Sequence, residues 1–502
     1  MGILGPVLYV LYASGSAPTG DIPVTTIVGL IIVLFIAYTY WMLSTSMPRT
    51  GGDYIWTSRI LHPFVGFLES SMLLFVMITS FVSYDIYLAV TNGLSYVFIN
   101  FGYLSNNPSL VNTGMSLMSD HLTVLAVSVI LALIVIGVMM LPIKRVVTIL
   151  FGMFFVTLII YIIYAGLLAS AGNSGFVGTF NAATNSTYQA IASASNSDYT
   201  LSGTLFIGLV FVMLSYIGFV NSSYFAGEVS GDPFKSQGLA IFGSPMVYCV
   251  FLFTMYFLQF TTYGHAFLAS AASLFLGGSA TWPTFGLASG LGQPSGVFLV
   301  NFLTSNPYLS SLVAFGIFLQ FVMWAMVFFL APTRYIFSWS FDRILPVRFS
   351  ATTKKGVPYV AVLLYGVLTI AFVAAAVYTS ILSYYAYAIF GFYMSTTIVL
   401  IGGALFPYRR KDIFESSHRY VRAKVGGVPI MTIMGFVGAL FSAITMVVTV
   451  LPAYTGFPIQ LSYFIPIVVV LIASTIIYWA SYYYNKSKGL PVDLVGKEIP
   501  PL

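Results

Sequence analysis

The sequence has 502 residues and a mass of 54.7 kDa, and 59% of its residues are hydrophobic whereas only 6% are charged. Ordinary soluble domains carry roughly 25% charged residues, so this composition excludes a soluble enzyme. The 19 Lys and Arg residues give a net charge of +6 but are spread along the chain, whereas a nucleic-acid partner requires a clustered basic face. No polar linker separates two cores, and we predict one membrane domain over residues 1–502.

Apolar runs of membrane-spanning length recur along nearly the whole sequence. A helix needs about 20 apolar residues to cross roughly 30 Å of hydrocarbon. We therefore predict an all-α, polytopic membrane protein in a lipid bilayer. Its complete spans are expected at residues 24–43, 64–90, 122–141, 146–170, 204–225, 239–268, 312–331, 360–378, 385–406, 430–451 and 462–482. Residues 1–13 provide only about half a span at ~1.5 Å per residue, so the first helix is predicted to be incomplete.

Lys and Arg are confined to alternate connections between these spans. They follow the first, third, fifth, seventh and ninth complete spans and recur in the tail, and the other connections contain none. Short cytoplasmic loops retain basic residues. We therefore predict a cytoplasmic C-terminal tail over residues 485–502, in a multi-pass protein of the plasma or cytoplasmic membrane.

Two glycine-containing stretches interrupt predicted helices, at residues 2–6 and 215–219. Proline removes a helix donor, and glycine permits non-helical backbone. If the incomplete segment is helix one, the interruptions fall in helices one and six. This offset favours two five-helix repeats of inverted topology, over residues 1–170 and 200–408. The alternative interpretation is that these glycines only allow close packing of neighbouring helices. Two further helices are predicted over residues 428–484.

Three stretches of the sequence resemble one protein family. Residues 48–56 are similar to the P-x-x-G-G-x-Y-x-W stretch between helices two and three of the amino acid-polyamine-organocation (APC) superfamily. Residues 218–233 resemble the helix six of that family and its cytoplasmic exit, and residues 334–358 resemble its loop between helices eight and nine. The resemblance covers the chain from its start to about helix ten.

The resemblance implies an amino acid permease, a secondary transporter and not an enzyme, with the fold shared by sodium-coupled leucine transporters and with no cofactor. In that fold, unwound backbone of helices one and six holds the carboxylate and the amine of the substrate. The substrate-binding residues that it implies here are Gly2, Ile3, Gly5, Tyr216, Ile217, Gly218 and Phe219. The family often has Glu after this Gly-Phe pair, whereas this chain has Val220, which favours neutral amino acids.

The polar residues within the spans bear on energy coupling. Helix eight contains no Ser or Thr between residues 312 and 332, and Gln320 is its only polar side chain, which argues against a sodium site. No Lys lies inside a span. We expect either proton coupling through Glu69 or Asp85, or exchange or facilitated transport. Glu69 is alternatively a hydrogen-bonded structural residue and Asp85 an interfacial acid; 16 residues apart, they are roughly 160° apart on a regular helix.

Two further residues are candidates for gates, and the wider function has alternatives. Glu228 is expected to pair with an Arg or Lys of a loop at the inner gate rather than to contact substrate, and Tyr384 is a candidate for the outer gate. The main alternative function is a transport-inactive amino acid receptor of the same fold, and a channel is a third. A membrane oxidoreductase would need several His ligands, yet the chain has four His in all. The expected partners are an amino acid or amine substrate, lipid and possible coupling protons, without a metal or an obligate protein partner.

Overall fold

The computed structural model describes residues 2–195, 197–279, 281–288, 292–379, 385–451, 459 and 461–490, with backbone alone at 206–208, 210–212, 385–388 and 462–463. Helix accounts for 79% of the structure and strand for 1%, which confirms the predicted all-α class. The main helices are α1 (Gly5–Ser16), α2 (Ile22–Ser46), α3 (Gly52–Ile60), α4 (Pro63–Leu104), α5 (Pro108–Ser119), α6 (His121–Met139), α7 (Ile143–Ala183), α8 (Gly208–Tyr216), α9 (Pro233–Tyr263), α10 (His265–Leu276), α11 (Pro307–Phe341), α12 (Tyr359–Tyr378), α13 (Tyr385–Arg409), α14 (Ile430–Val448) and α15 (Ile465–Ser487).

Short elements connect these helices. The brief α-helices and 3₁₀ turns are Tyr188–Ala192, Asn221–Tyr224, Ala226–Glu228, Gly286–Ala288, Gly296–Leu299, Val300–Phe302, Val347–Ser350, Lys411–Ser416 and Leu461–Phe464. Strands β1 (Lys424–Val425) and β2 (Val428–Pro429) pair as an antiparallel hairpin before α14. Its turn residues, Gly426 and Gly427, both have positive φ, as a tight hairpin turn requires.

Ten helices in the described part of the chain are long and apolar enough to cross a membrane, so the protein is an integral, multi-pass membrane protein. They are α2, α4, α6, α7, α9 and α11–α15. Each corresponds to one of the eleven predicted spans. The remaining prediction, residues 204–225, falls on α8, which ends at Tyr216 and is followed by an irregular segment. The predicted span that the structure interrupts is therefore the one with a glycine break.

Several predicted boundaries are wrong. The predicted span 64–90 continues as helix to Leu104, and three further differences occur at a glycine or a proline. The predicted span 239–268 ends earlier, at Tyr263, since Gly264 has a φ of +86° and starts α10 in a new direction. The predicted loop after residue 170 continues as helix beyond a kink at Gly172, where φ is 57°. α11 continues ten residues past Ala331 to Phe341, with Pro332 inside it.

The centre of the molecule is formed by α4 and α11. The most apolar windows of these two helices are 72% and 67% buried, whereas that of α15 is 17% buried. α4 contains two π-helical segments, Met77–Val82 and Ala89–Leu94, and both pack on α11. α14 packs against α13 and α2, and α15 packs against α4. The last two helices therefore lie at the periphery of the central bundle.

The helix ends on one side of the molecule carry the basic residues, and we call it the basic side. It includes Arg59, Lys144, Lys235, Arg334 and Arg410. α3 lies on this side, between the end of α2 and the start of α4. Just before α3, the amide N–H of Gly51 donates to the Tyr224 carbonyl at 2.9 Å, and Thr50 forms a β-bridge with Phe225. The segment after α8 is thus attached to the start of α3.

Candidate functional site

The first interruption lies at the start of α1. Residues 2–4 precede this helix, which begins at Gly5, and Pro6 lies in its first turn, where its missing N–H has no helical partner to lose. The Gly2 carbonyl accepts hydrogen bonds from the Gly5 N–H at 3.1 Å and from the Tyr248 hydroxyl at 3.0 Å. Gly5, which we expected in unwound backbone, is therefore helical, because Pro6 fixes a φ that suits a first turn.

A side-chain amide of α11 faces this helix start. The Leu4 N–H donates to Oε1 of Gln320 at 3.3 Å, and Nε2 of Gln320 is buried without a hydrogen-bond partner. The amide lies so close to Gly2 that a Cβ there would collide with it. On the same helix, the Trp324 ring stacks on Tyr9 of α1 at 5.9 Å between centroids. A polar group and an aromatic ring of α11 therefore flank the first interruption.

The second interruption follows α8. Residues 217–220 form a turn after Tyr216, and a 3₁₀ turn, Asn221–Tyr224, follows it. Gly218 has a φ of +107°, a conformation that residues with a side chain rarely adopt. A Cβ at this position would also lie 3.4 Å from the Phe328 ring of α11. Glycine is therefore required here by the backbone conformation.

The side chains of Tyr216 and Ile217 pack against neighbouring helices. The Tyr216 hydroxyl donates to the Thr26 carbonyl of α2 at 2.9 Å, and the Cys249 thiol of α9 lies 3.7 Å from the same oxygen. Ile217 lines a cavity of only about 20 Å³ together with residues of α2 and α13. Of these two predicted binding residues, only the backbone groups are therefore available to a ligand.

A cavity of about 460 Å³ lies between the two interruptions and the first turns of α9. Ile3 lines it from the first interruption, and Gly218, Phe219 and Ser222 line it from the second. The rest of its wall is mostly apolar and comes from α7 and α9. Its volume falls in the range of ~300–1,000 Å³ that is typical of ligand pockets. The structure thus brings three of the predicted binding residues to one cavity, which Gly2, Gly5, Tyr216 and Ile217 do not line.

Glu69 lies in the first part of α4 and is fully buried. Its Oε1 accepts a hydrogen bond from the Ser395 hydroxyl of α13 at 2.5 Å, and its Oε2 has no hydrogen-bond partner. The hydrogen bond agrees with the structural alternative for Glu69. The second oxygen is one that a bound proton would convert into a hydroxyl donor.

Asp85 lies between the two π-helical segments of α4 and is 3% exposed. Its side chain is buried because α4 continues to Leu104 and because α6, α11 and α12 pack around this part of it. Its Oδ2 has no hydrogen-bond partner. A π turn contains more residues than an α turn, so the angle of 160° to Glu69, which assumed a regular helix, does not apply.

A third buried carboxylate, Asp53, was missed by the sequence analysis. It lies in the first turn of α3, where its Oδ1 accepts hydrogen bonds from the Tyr335 hydroxyl at 2.5 Å and from the Tyr54 N–H at 2.9 Å. Its Oδ2 is buried without a hydrogen-bond partner. Burial raises the pKa of Asp53 to about 7, although these hydrogen bonds lower it. In the sequence, an Asp after a glycine pair resembles an ordinary acid at a helix start, and no sequence pattern around it predicts that it is buried.

Two ion pairs lie beside Asp53 on the basic side. Arg59 of α3 donates to both carboxylate oxygens of Asp342 at 2.7 and 2.8 Å, and the side chains of the pair are 2% and 9% exposed. Arg334 donates to both oxygens of Glu228 at 3.0 and 2.9 Å. Glu228 therefore has an arginine partner, as expected, but that arginine lies within α11 and not in a loop.

The remaining predicted residue, Tyr384, lies outside the described residues. In the part of the chain that is described, no group of three or more His, Cys, Asp and Glu residues is placed to hold a metal ion.

Comparison with protein families identifies the chain's family. A family model described as "Amino acid permease" matches residues 2–487, which is nearly the whole chain. No curated protein matches the chain. The resemblance inferred from the three sequence stretches is confirmed by the family match.

Proposed function

The chain belongs to the amino acid permease family, and we propose that it is a secondary transporter that moves neutral amino acids or related small amines by alternating access. The observation that carries this proposal is the meeting of two interrupted helices at one cavity. Ile3 lines the cavity from the start of α1, and Gly218 and Phe219 line it from the turn after α8. Exposed peptide groups at such interruptions are suited to bind a small zwitterion.

Each charged group of the substrate has a candidate partner in this geometry. The start of α1 favours a carboxylate, since helix N-termini carry partial positive charge. The Leu4 N–H already donates to Oε1 of Gln320, so the unpartnered Nε2 of that amide is the remaining side-chain donor next to Ile3, which lines the cavity. The end of α8 favours an ammonium group, because helix C-termini carry partial negative charge, and the turn residues Gly218 and Phe219 line the cavity there.

The membrane orientation is part of the proposal. The basic residues follow every second span, which supports a cytoplasmic basic side with a cytoplasmic tail at residues 485–502. The plasma or cytoplasmic membrane is the proposed location. The interruptions in helices one and six support inverted repeats over residues 1–170 and 200–408. The Glu228–Arg334 pair, which joins the segment after α8 to α11, is proposed to hold the inner gate closed.

Proton coupling through Glu69 is favoured over coupling through Asp85. Glu69 interacts electrostatically with Tyr224, which lies in the segment after the second interruption, so its surroundings depend on the position of that segment. Asp85 is instead packed among α6, α11 and α12. Coupling at Glu69 would respond directly to movement at the interruption.

Uptake of radiolabelled amino acids into proteoliposomes tests the proposed function. We expect wild-type protein to catalyse uptake and counterflow of at least one neutral amino acid. Gly218→Leu should lower uptake at least tenfold, because the side chain strains the turn and contacts Phe328. Gly152→Leu is the matched control, since a Cβ at Gly152 of α7 meets nothing within 4 Å, and it should transport normally.

Two outcomes would contradict the proposal. Binding of an amino acid by the wild-type protein without counterflow would identify a receptor. Normal uptake by Gly218→Leu would show that the substrate does not bind at the second interruption.

A further inference from the structure

Two carboxylates from different elements are buried together on the basic side. Asp53 of α3 and Glu69 of α4 are both 0% exposed and interact electrostatically with each other. Each has one oxygen in a hydrogen bond, to Tyr335 and to Ser395 respectively. Each has a second oxygen that is buried without a hydrogen-bond partner. Two buried carboxylate oxygens therefore lack the hydrogen-bond donors that buried polar atoms normally have.

No cation neutralises this pair within the described part of the chain. Arg59 and Arg334 are the nearby guanidinium groups on the basic side, and each is bound through two hydrogen bonds to a different carboxylate, that of Asp342 or Glu228. The four ion pairs found among the described residues do not include Asp53 or Glu69. The charge of the two buried acids is thus uncompensated.

Tyrosines surround the pair. The hydroxyl groups of Tyr40, Tyr224 and Tyr335 interact electrostatically with both carboxylates, and they come from α2, from the segment after α8 and from α11. All three side chains are at most 1% exposed. The Tyr224 hydroxyl lies close enough to Asp53 and Tyr335 to interact with both side chains. It is thus a buried polar group that faces the two carboxylates.

Two carboxylates that interact electrostatically in an apolar interior are difficult to ionise together, because repulsion and lost hydration both oppose the second charge. We propose that Asp53 and Glu69 together form a proton-binding site, in which one proton from water bonds to a carboxylate oxygen and is shared by the pair. The inference rests on the proposed transport function, for which this proton is the coupling ion. The pKa of about 7 for Asp53, raised by burial, supports proton uptake in the physiological range.

The site is connected to the inner gate. Tyr224 covers the pair from the segment after the second interruption, and the carbonyl of the same residue accepts a hydrogen bond from Gly51, next to α3. Movement of this segment away from α3 would break that hydrogen bond and withdraw the tyrosine. Water would then reach the two carboxylates from the basic side, and hydration favours their ionised forms. Opening of the inner gate would therefore release the proton.

Infrared difference spectroscopy of purified protein measures the site without requiring transport. We expect wild-type protein near pH 7 to show a carbonyl band of a protonated carboxyl group that disappears at alkaline pH. Asp53→Asn and Glu69→Gln should each reduce this band, since each removes one half of the shared site. Asp412→Asn and Glu415→Gln are matched controls, because both acids are more than half exposed and lie in the short helix Lys411–Ser416 on the basic side; they should leave the band unchanged.

Transport supplies the second measurement. Wild-type uptake should be several-fold faster with an imposed pH gradient than without it. In Asp53→Asn and Glu69→Gln this ratio should fall to about one, whereas substrate counterflow, which needs no net proton movement, should persist. Asp412→Asn and Glu415→Gln should keep the wild-type ratio.

The outcomes separate this inference from the proposed function. Failure of wild-type protein to catalyse counterflow would contradict the proposed function, and the infrared band would still test the proton site. A band that neither variant reduces would overturn the proton site. So would a band that depends on only one of the two residues, since that result would identify an isolated carboxylic acid. If Asp53→Asn does not fold, Glu69→Gln and the wild-type pH titration still decide the result.

Discussion

The basic side contains two kinds of acid that differ in their partners. Asp342 and Glu228 each face an arginine that donates two hydrogen bonds, and their oxygens are satisfied by cations. Asp53 and Glu69 face tyrosine and serine hydroxyl groups, and each retains an unpartnered oxygen. Each of the paired acids forms an ion pair that joins α11 to another segment of the chain. The unpaired acids have a charge that depends on whether a proton is present.

Neighbouring acids on the basic side therefore have two different roles: some hold two elements in a fixed arrangement, and others can gain or lose a proton. A bidentate pair fixes the distance and angle between two elements, α3 and the end of α11 in the case of Arg59 and Asp342. An uncompensated acid fixes no such geometry, but its environment changes when a neighbouring segment moves. Substitutions that remove one charge should therefore act very differently in the two regions.

The largest effect is expected from Asp342→Asn. The substitution leaves the Arg59 guanidinium, 2% exposed, without its carboxylate, and breaking a buried pair in this way costs about 3–5 kcal/mol. We expect a marked loss of folded protein and a lower thermal unfolding temperature in detergent. Wild-type stability of this variant would contradict the view that the pair fixes α3 to α11.

A smaller effect of opposite sign is expected from Asp53→Asn. The folded protein holds a proton on Asp53 up to a pH of about 7, whereas the ordinary pKa is 3.8. Proton uptake on folding means that wild-type stability falls as pH rises from about 4 to about 7 and is constant above that range. Because Asn cannot ionise, the variant should be more stable than wild type above pH 7, and its advantage should disappear toward pH 4.

Thermal unfolding measured across this pH range tests the prediction. Asp412→Asn, with an exposed side chain, should reproduce the wild-type profile. A wild-type profile that does not change between pH 4 and 8 would show that Asp53 remains ionised when buried.

The smallest effect is expected from Glu228→Gln. Its carboxylate is 26% exposed, so loss of the pair with Arg334 should cost about 1 kcal/mol or less. The inner gate should then open more often, by up to about fivefold. The rate of alkylation of Ser222→Cys, a position that lines the cavity, would measure this change in a Cys249→Ser background. Glu415→Gln, which disrupts an exposed pair with Lys411, should leave the alkylation rate unchanged.

The parts of the fold that depend on local chemistry were predictable from sequence. Span length and loop charge located ten membrane helices, and the glycine of residues 215–219 identified the helix that is interrupted. Gly5 was predicted to lie in unwound backbone because glycine often interrupts helices. Pro6 instead makes this position the start of a helix. The extension of α7 beyond Gly172 was missed because a single positive φ can kink a helix without ending it.

The residues of the candidate proton site were only partly predictable. Glu69 was identified because a carboxylate within an apolar span is unusual. Asp53 was not, because it lies in a polar connection where acids are common, and only the packing of Tyr224 and Tyr335 over it makes it buried. The pairing of Glu69 with Asp53 depends on contacts between α3 and α4 that a one-dimensional pattern does not contain.

The Thr26 carbonyl has a consequence for how the molecule can change shape. It accepts the Tyr216 hydroxyl of α8 and lies beside the Cys249 thiol of α9, so one oxygen of α2 ties together three helices. Displacement at the second interruption is thereby confined to the residues after Gly218. In the proposed transport cycle, we therefore expect the rearrangement in this region to be confined to those few residues.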